Sequence, residues 1–316
     1  MPIRTSPGGH FQLLLDGVAC GFLNSVDGGA PVAEVISEAG PTSFIKKHLG
    51  PIKYEPFVLK LGLAMSKELS DWISASWNSN YARKNGAVVT TDFNFVAVSQ
   101  REFSNALITE TTIPALDGAS KEPASLTLKL APEFTRTSKG SGKVDAAKVN
   151  QKLWLPSNFK VAIDGLDCTK IRSVNSFTVK QSVASDDIGD ARRYLHEPGK
   201  IDFPNLEITL PETAAKTWFD WFEDFAIKGN NDESKEKTGS IAFLSPNLAE
   251  ELMRIDLFNL GIFKIEYDRT EAQSDQVATV TAHLYCERMA LHVGSAEPAG
   301  ATRLTPAHTF KDVTGV

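Results

Sequence analysis

The chain contains one sequence pattern twice, and this internal repeat constrains its fold more than any other feature. The segment HFQLLLDGVACGF begins at His10, and NFKVAIDGLDCTK begins at Asn158. Identical residues lie 148 positions apart (159 − 11) in the two segments, namely Phe11 and Phe159, Asp16 and Asp164, Gly17 and Gly165, and Cys20 and Cys168. At 316 residues the chain has room for two domains of ordinary size, so the repeat predicts two domains of one kind.

The correspondence continues with one extra residue in the second copy. Matching residues lie 149 positions apart (199 − 50) in the next block, namely Gly50, Ile52 and Tyr54 against Gly199, Ile201 and Phe203. Alternating apolar residues follow, namely Phe57, Leu59 and Leu61 against Leu206, Ile208 and Leu210. Alternation with a period of two is typical of half-buried strands, and an insertion is tolerated in a loop but not within such a strand. The pattern therefore predicts strands on either side of an extended excursion in each copy.

Each copy next predicts one amphipathic helix. Ser66 is a candidate N-cap, and the first copy then has apolar residues at helical spacing, namely Met65, Leu69, Trp72, Ile73 and Trp77. The second copy has apolar residues at matching places, namely Ala214, Trp218, Trp221 and Phe222. We expect six side chains to anchor these helices in the core: Leu69, Trp72, Ile73, Trp218, Trp221 and Phe222.

Alternating stretches follow both helices, for example SLTLKL and QVATVTAHLYC. The sequence therefore predicts a mainly β (α+β) fold with strands, one helix and further strands in each copy. We predict a first domain over 8–135, a linker over 136–157, a second domain over 158–293 and a C-terminal tail over 294–316. The linker range is rich in Gly, Ser and Lys, and the tail is rich in Ala, Pro and Thr, as loosely held segments are.

Composition and charge argue against several classes of function. The formal net charge of −6 is spread along the chain without a basic stripe, so sequence-specific DNA binding is not expected. No apolar run is long enough to cross a bilayer, and MPIRTSPGGHF lacks the apolar core of a signal peptide. We expect assembly in a cytoplasm, no membrane insertion, and reduced core cysteines at Cys20, Cys168 and Cys286 in preference to a disulfide or a reactive thiol.

The sequence contains no constellation that predicts catalysis. Its histidines lack zinc-ligand spacing, and it has no phosphate-binding glycine loop or nucleophile elbow. Asp71 and Asp220 occupy equivalent helix positions and could form a catalytic pair, but we expect them on the solvent side of the helices or bonded to a neighbouring loop. His48 and His196 flank the equivalent glycines, and we expect surface side chains there in preference to a pH switch. No enzymatic activity, metal or cofactor is expected.

The order of the marks in each copy resembles the tube proteins of contractile phage tails and related injection systems. In the first copy the marks are Phe11 with Asp16-Gly17, GPIKY at 50–54, LKLG at 59–62 and LSDW at 69–72. The second copy keeps Phe159, Asp164-Gly165, Pro198-Gly199 and WFDW at 218–221. It departs at 209–211, where TLP replaces the lysine and glycine that follow the strand.

That resemblance implies a small β-barrel or sandwich with one packed helix in each copy. In such proteins six domains join edge to edge around a lumen, and rings stack through the long loop after the first hairpin. Ring closure agrees with elementary physics, because exposed sheet edges have to be paired, covered or closed. The candidates for ring stacking are residues of the two excursions: Gly40, Lys46, Lys47, His48, Arg192, Arg193 and His196.

The duplication predicts how many chains form a ring. Three tandem chains would supply six domains and so form a pseudo-hexameric trimer. The favoured interpretation is a structural tube subunit of a virion or injection particle. It would line a conduit for DNA or a protein effector, with sheath, baseplate or hub proteins as partners. A tube-initiator or hub role is the first alternative, since two-domain trimers of this kind join a three-fold spike to a six-fold tube. The alternative from another class is a monomeric two-lobed protein that binds or hydrolyses a ligand, such as a glycan, in a cleft between the copies.

Overall fold

The computed structural model describes residues 9–39, 44–62, 65–144, 154–188, 193–268 and 277–294. The first copy contains the strands β1 (His10–Leu15), β2 (Val18–Gly28), β3 (Pro31–Ala39), β4 (Ile45–Tyr54), β5 (Phe57–Leu61), β6 (Lys84–Thr91), β7 (Ala97–Ile113), β8 (Leu116–Asp117), β9 (Leu126–Ala131) and β10 (Phe134–Lys139), and the helix α1 (Lys67–Trp77). The second copy contains β11 (Phe159–Ile163), β12 (Ser173–Val174), β13 (Phe177–Ile188), β14 (Arg193–Asp202), β15 (Leu206–Pro211), β16 (Lys237–Leu244), β17 (Glu251–Tyr267) and β18 (Thr279–Val293), and the helix α2 (Lys216–Phe222). The predicted fold, mainly β with one helix in each copy, is confirmed.

The first copy forms a closed barrel of six strands. The strands follow the order β7-β6-β1-β2-β5-β9, and β9 pairs back with β7 to close it. The alternating apolar residues point inward and are at most 2% exposed, namely Leu13, Leu15, Phe57, Leu59, Leu61, Leu126, Leu128 and Leu130. Asp16 and Gly17 both have positive φ (48° and 83°), which suits the two-residue turn between β1 and β2.

The second copy departs from this closed barrel at its second strand. Its sheet follows the order β11-β16-β17-β18-β15-β12, and β12 has two residues where β2 has eleven. After Gly165 the chain forms side-chain hydrogen bonds in place of a ladder. The side-chain carboxylate of Asp167 accepts hydrogen bonds from the N–H and the hydroxyl of Thr169. The main-chain carbonyl of Asp167 accepts a hydrogen bond from the indole of Trp218. The Asp-Gly repeat therefore does not specify a full hairpin in both copies.

The two helices bury equivalent faces. Ser66 caps α1 by accepting a hydrogen bond from the Leu69 N–H at 3.3 Å, and α2 continues as one π-helical segment over Glu223–Ile227. Five predicted anchors are buried, namely Leu69, Trp72, Ile73, Trp218 and Trp221, and Phe222 is partly buried against the same core. Asp71 and Asp220 lie on the opposite, exposed face, where each pairs with a lysine four residues earlier, Lys67 and Lys216.

Two ordered features fall within the range predicted as a linker. β10 extends to Lys139 because it pairs with β7 over its whole length, and Arg136 there forms an ion pair with Glu102 at 2.8 Å. Trp154 is buried, with its ring centroid 5.3 Å from that of Phe243. The rest of the linker from 145 to 153 lies outside the described residues, as does the predicted tail after Gly294. The domain boundaries therefore stay a prediction.

Candidate assembly interface

The two copies are joined by strands that cross from one sheet to the other. β13 of the second copy pairs with β7 of the first, with Phe177 opposite Ile113 and Lys180 opposite Glu110. In return β8 of the first copy pairs with β12 of the second. We call this contact, formed by β7 and β8 with β12, β13 and β14, the internal joint.

Apolar and hydroxyl side chains fill the internal joint. Ile113 is fully buried and Phe177 is 5% exposed. The hydroxyls of Thr112 and Thr178 lie 2.9 Å apart across the strands. The α1 helix also takes part, because Ser76 donates a hydrogen bond to the side-chain carbonyl of the buried Gln181 at 2.9 Å. The second copy is therefore held to the first by a packed and hydrogen-bonded surface.

A polar cluster fixes β14 at the rim of the internal joint. The buried carboxylate of Glu133 accepts hydrogen bonds from the Asn105 amide at 2.8 Å and from the His196 main-chain N–H at 3.0 Å. Arg83 donates to the His196 carbonyl at 2.7 Å and forms an ion pair with Glu197 at 3.0 Å. Sequence reasoning missed Arg83 and Glu133, since they come from loops about 50 residues apart. The only sequence signal is an acidic residue within the apolar stretch LKLAPEF.

His196 is half-buried in this cluster, although the sequence predicts a surface side chain. Burial lowers the pKa of its imidazole, and the neighbouring Glu133 opposes that effect in part. Within the described part of the chain, its Nδ1 atom is buried without a hydrogen-bond partner. The neutral ring is therefore favoured at this position.

The hairpin β3–β4 is the equivalent of β13–β14 in the first copy, and it has the same register. Val35 pairs with Leu49 after a bulge, as Val183 pairs with Pro198 after a bulge. Among the described strands, however, β3 pairs with β4 alone. The hairpin consequently exposes a set of large apolar side chains, namely Val32, Val35, Ile36, Phe44, Ile45, Leu49 and Ile52.

One edge of β17, the equivalent of the β7 edge that pairs with β13, is also open. β9 and β10 occupy one edge of β7, and β6 and β13 occupy the other. In the second copy β18 covers the first edge of β17, and β16 covers the other edge only as far as Leu260. No described strand covers that edge over 261–267. Tyr267 there is 65% exposed, whereas Ile113 at the equivalent place is fully buried beneath β13.

The predicted stacking residues lie in both hairpins, β3–β4 and β13–β14, or between their strands. Lys46, Lys47 and His48 are exposed on β4. His196 lies in the internal joint, and Arg193 begins β14. Gly40 and Arg192 lie outside the described residues. A role of these residues in stacking stays a prediction.

A cleft of about 270 Å³ separates the two hairpins, and its lining residues are Ile52, Lys53, Tyr54, Glu133, Ser185 and His196. Glycoside hydrolysis generally uses a pair of carboxylates, and this lining provides one, which the polar cluster already engages. Across the described ranges no group of three or more His, Cys, Asp or Glu side chains could hold a metal ion. No helix there is long and apolar enough to cross a membrane.

Comparison with known proteins gives a family match over both copies. The model of the family "T4-like virus tail tube protein gp19" matches residues 8–135 and again residues 155–290. No curated protein sequence matches the chain.

Solved structures with similarity to the chain come from contractile injection systems and related proteins. A chain of the PVC sheath–tube complex, an extracellular contractile injection system in its extended state, is 20% identical, with 43% of this chain and 88% of that chain covered and a TM-score of 0.35. A chain of the anti-feeding prophage baseplate is 14% identical, with 43% and 91% covered and a TM-score of 0.33. Hcp1 from Flavobacterium johnsoniae is 15% identical, with 43% and 95% covered and a TM-score of 0.26.

Proposed function

Since the chain belongs to the T4-like virus tail tube protein gp19 family, we propose that three copies of it form a pseudo-hexameric ring within the inner tube of a contractile tail or injection system. The family match covers both copies, so each chain supplies two tube domains. The ring lines a conduit for DNA or a protein effector, and the protein acts without catalysis or a cofactor.

The proposal rests on one observation. The chain forms one contact between its two copies, and the two strand edges that would form a second contact of the same kind are open. β13 fills the free edge of β7, whereas in the described chain β3 pairs with β4 alone and residues 261–267 of β17 pair with β18 alone, so each keeps one edge open. The contact is heterologous, so its repetition between chains generates a closed ring when the rotation closes. Pairing β3 of one chain with β17 of the next covers edges that otherwise favour uncontrolled association.

The partners in this proposal are further copies of the chain and the sheath, baseplate or hub proteins of the same particle. Assembly takes place in the host cytoplasm before incorporation into a virion or injection particle. The net charge of −6 suits a wall that does not retain DNA, because phosphate binding requires clustered Lys and Arg. A tube-initiator or hub role, with the same trimeric ring, is the alternative.

Substitution of Ile52 tests the ring proposal. Ile52 is 41% exposed on the open hairpin, whereas its equivalent Ile201 packs against the core. Ile52→Asp should leave the fold of the single chain intact and prevent ring formation, because a carboxylate would then be buried between chains. The matched control is Phe93→Asp, which alters an exposed apolar residue outside the open edges and should assemble normally. Size-exclusion chromatography with light scattering measures both, and rings of normal size from Ile52→Asp would contradict the proposal.

Stacking of rings is assigned to the excursion over 40–48. Removal of residues 40–44, which spares Lys46–His48 for the contact within the ring, should block the growth of tubes from rings while each domain stays folded. Negative-stain images would show single rings for the truncated chain, and tubes of normal length would overturn this assignment.

A further inference from the structure

The open edges carry charges of the opposite sign to those at the internal joint. Glu236 occupies the place of Arg83, since each residue directly precedes the lysine that begins β16 or β6. His48 occupies the place of Glu197, since each lies two residues before the equivalent glycine, Gly50 or Gly199, in hairpins of one register. The ion pair Arg83–Glu197 of the internal joint thus has Glu236 and His48 as its counterparts, with a carboxylate in place of the guanidinium and an imidazole, cationic when protonated, in place of the carboxylate.

The rest of the polar cluster is retained at the open edge. Asn259 matches Asn105, and both have positive φ (56° and 51°) at the same bulge. Glu287 corresponds to Glu133. In each copy, the residue that follows the glutamate pairs with the residue that precedes the asparagine. Glu133 is buried and accepts the N–H of His196, whereas Glu287 is exposed. Lys47 matches His196, so a hairpin bound at the open edge as β13–β14 is bound in the internal joint would place a cation near Glu287.

Glu236 is already held in place on the open edge. Its carboxylate accepts hydrogen bonds from the Asn259 amide and from the Tyr285 hydroxyl, both at 2.7 Å. Burial and this bond to Glu236 raise the pKa of Tyr285, so the hydroxyl keeps its proton and remains a donor. Such positioning reduces the ordering cost of a further contact.

We infer, resting on the proposed ring, that Glu236 and Glu287 of one chain receive the Lys46–His48 stretch of a second copy of this chain. The exchanged signs also determine which copies meet. The β3–β4 hairpin in the internal joint would place Lys47 and His48 near Arg83, which is unfavourable, whereas at the open edge it meets two carboxylates. Opposite charges favour the correct contact, and like charges disfavour the wrong one. First and second copies therefore alternate around the ring.

A charge-swap cycle on the full chain tests this inference. Sedimentation velocity over a concentration series gives the concentration for half-assembly. His48→Glu and Glu236→Arg should each raise it about tenfold or more, and the double variant should return it to within about threefold of the wild type. Glu233→Arg reverses an exposed charge three residues from Glu236 and is the matched control, with no change expected beyond about threefold. Glu236→Gln removes the charge and keeps one of the two acceptor oxygens, so it tests the charge with less disturbance of the fold than Glu236→Arg, and thermal melting of each variant checks the fold.

The outcomes separate this inference from the proposed function. If wild-type chains form rings and neither single swap weakens them, the ring stands and the charge pairing is wrong. A double variant that assembles no better than the single variants would also overturn the pairing. If wild-type chains never assemble, the proposed function and the inference both fail.

Discussion

At the scale of single residues, Glu133 illustrates how one buried carboxylate can hold two parts of the fold together. It is 5% exposed and accepts hydrogen bonds from Asn105 in the first copy and His196 in the second. A buried charge is stabilising only when its partners remain in place, so removal of one partner leaves the others unsatisfied.

Glu133→Ala should therefore destabilise the chain by about 3 kcal/mol, because the Asn105 amide and the His196 main-chain N–H lose the buried acceptor that they share. Glu287→Ala removes the exposed equivalent and should change the stability of the monomer by about 0.5 kcal/mol or less. Urea unfolding measures both, and hydrogen exchange should show faster exchange over β14 in Glu133→Ala alone. Equal effects of the two substitutions would contradict this role of Glu133.

His196 gives the chain a pH dependence of known sign. Because the folded pKa lies below that of the unfolded chain, the unfolded state binds more protons as pH falls through the usual titration range of histidine near 6.5. Stability should be fully present above that range and decline below it. The urea midpoint of the wild type should fall more between pH 7.5 and pH 5.5 than that of His196→Gln, which keeps the main-chain bond to Glu133. Identical pH profiles would show that His196 does not contribute.

At the scale of elements, the helices show how one face is specified by the core and the other by water. Trp72 is 3% exposed, and its indole donates a hydrogen bond to the Ala82 carbonyl at 2.7 Å. Its neighbour Asp71 is exposed and pairs with Lys67. The two adjacent residues therefore form a matched pair for substitution.

Trp72→Ala should lower the free energy of unfolding by about 3–5 kcal/mol through loss of buried area and a cavity. Asp71→Ala should lower it by about 0.5 kcal/mol or less, since exposed i,i+4 pairs contribute little. Urea unfolding of both variants tests the expectation. A loss of several kcal/mol from Asp71→Ala would show that this carboxylate has a role that the structure does not give it.

The sequence predicts elements well where the pattern is local. The spacing of Leu69, Trp72 and Ile73 predicts α1, and alternation predicts β5 and β15, because burial on one face selects such periods. It does not predict the loss of a full second strand in the second copy, because Asp167 and Trp218 replace the ladder by contacts about 50 residues apart. The internal joint escaped prediction for the same reason, since Glu133 meets His196 only after both copies have folded.

At the scale of the whole molecule, the two copies form one structure with a shared core. One cluster of buried residues runs through both copies, and each sheet ends with strands of the other copy. The repeat alone predicts two domains, and the position of their contact depends on which sheet edges remain free. The chain therefore contains the complete internal joint and the two separate strand edges, on β3 and β17, that would form a second contact of the same kind.

In the proposed ring, the second contact forms between chains and closes with three of them. Native mass spectrometry of the assembled wild-type protein tests it most directly, because the mass of each ring gives the number of 34.4 kDa chains. We expect rings of three chains, with larger particles in multiples of three. Rings of six chains would mean that only one copy in each chain contributes to the ring. They would contradict the proposed ring, as would a chain that stays monomeric at high concentration beside its native partners.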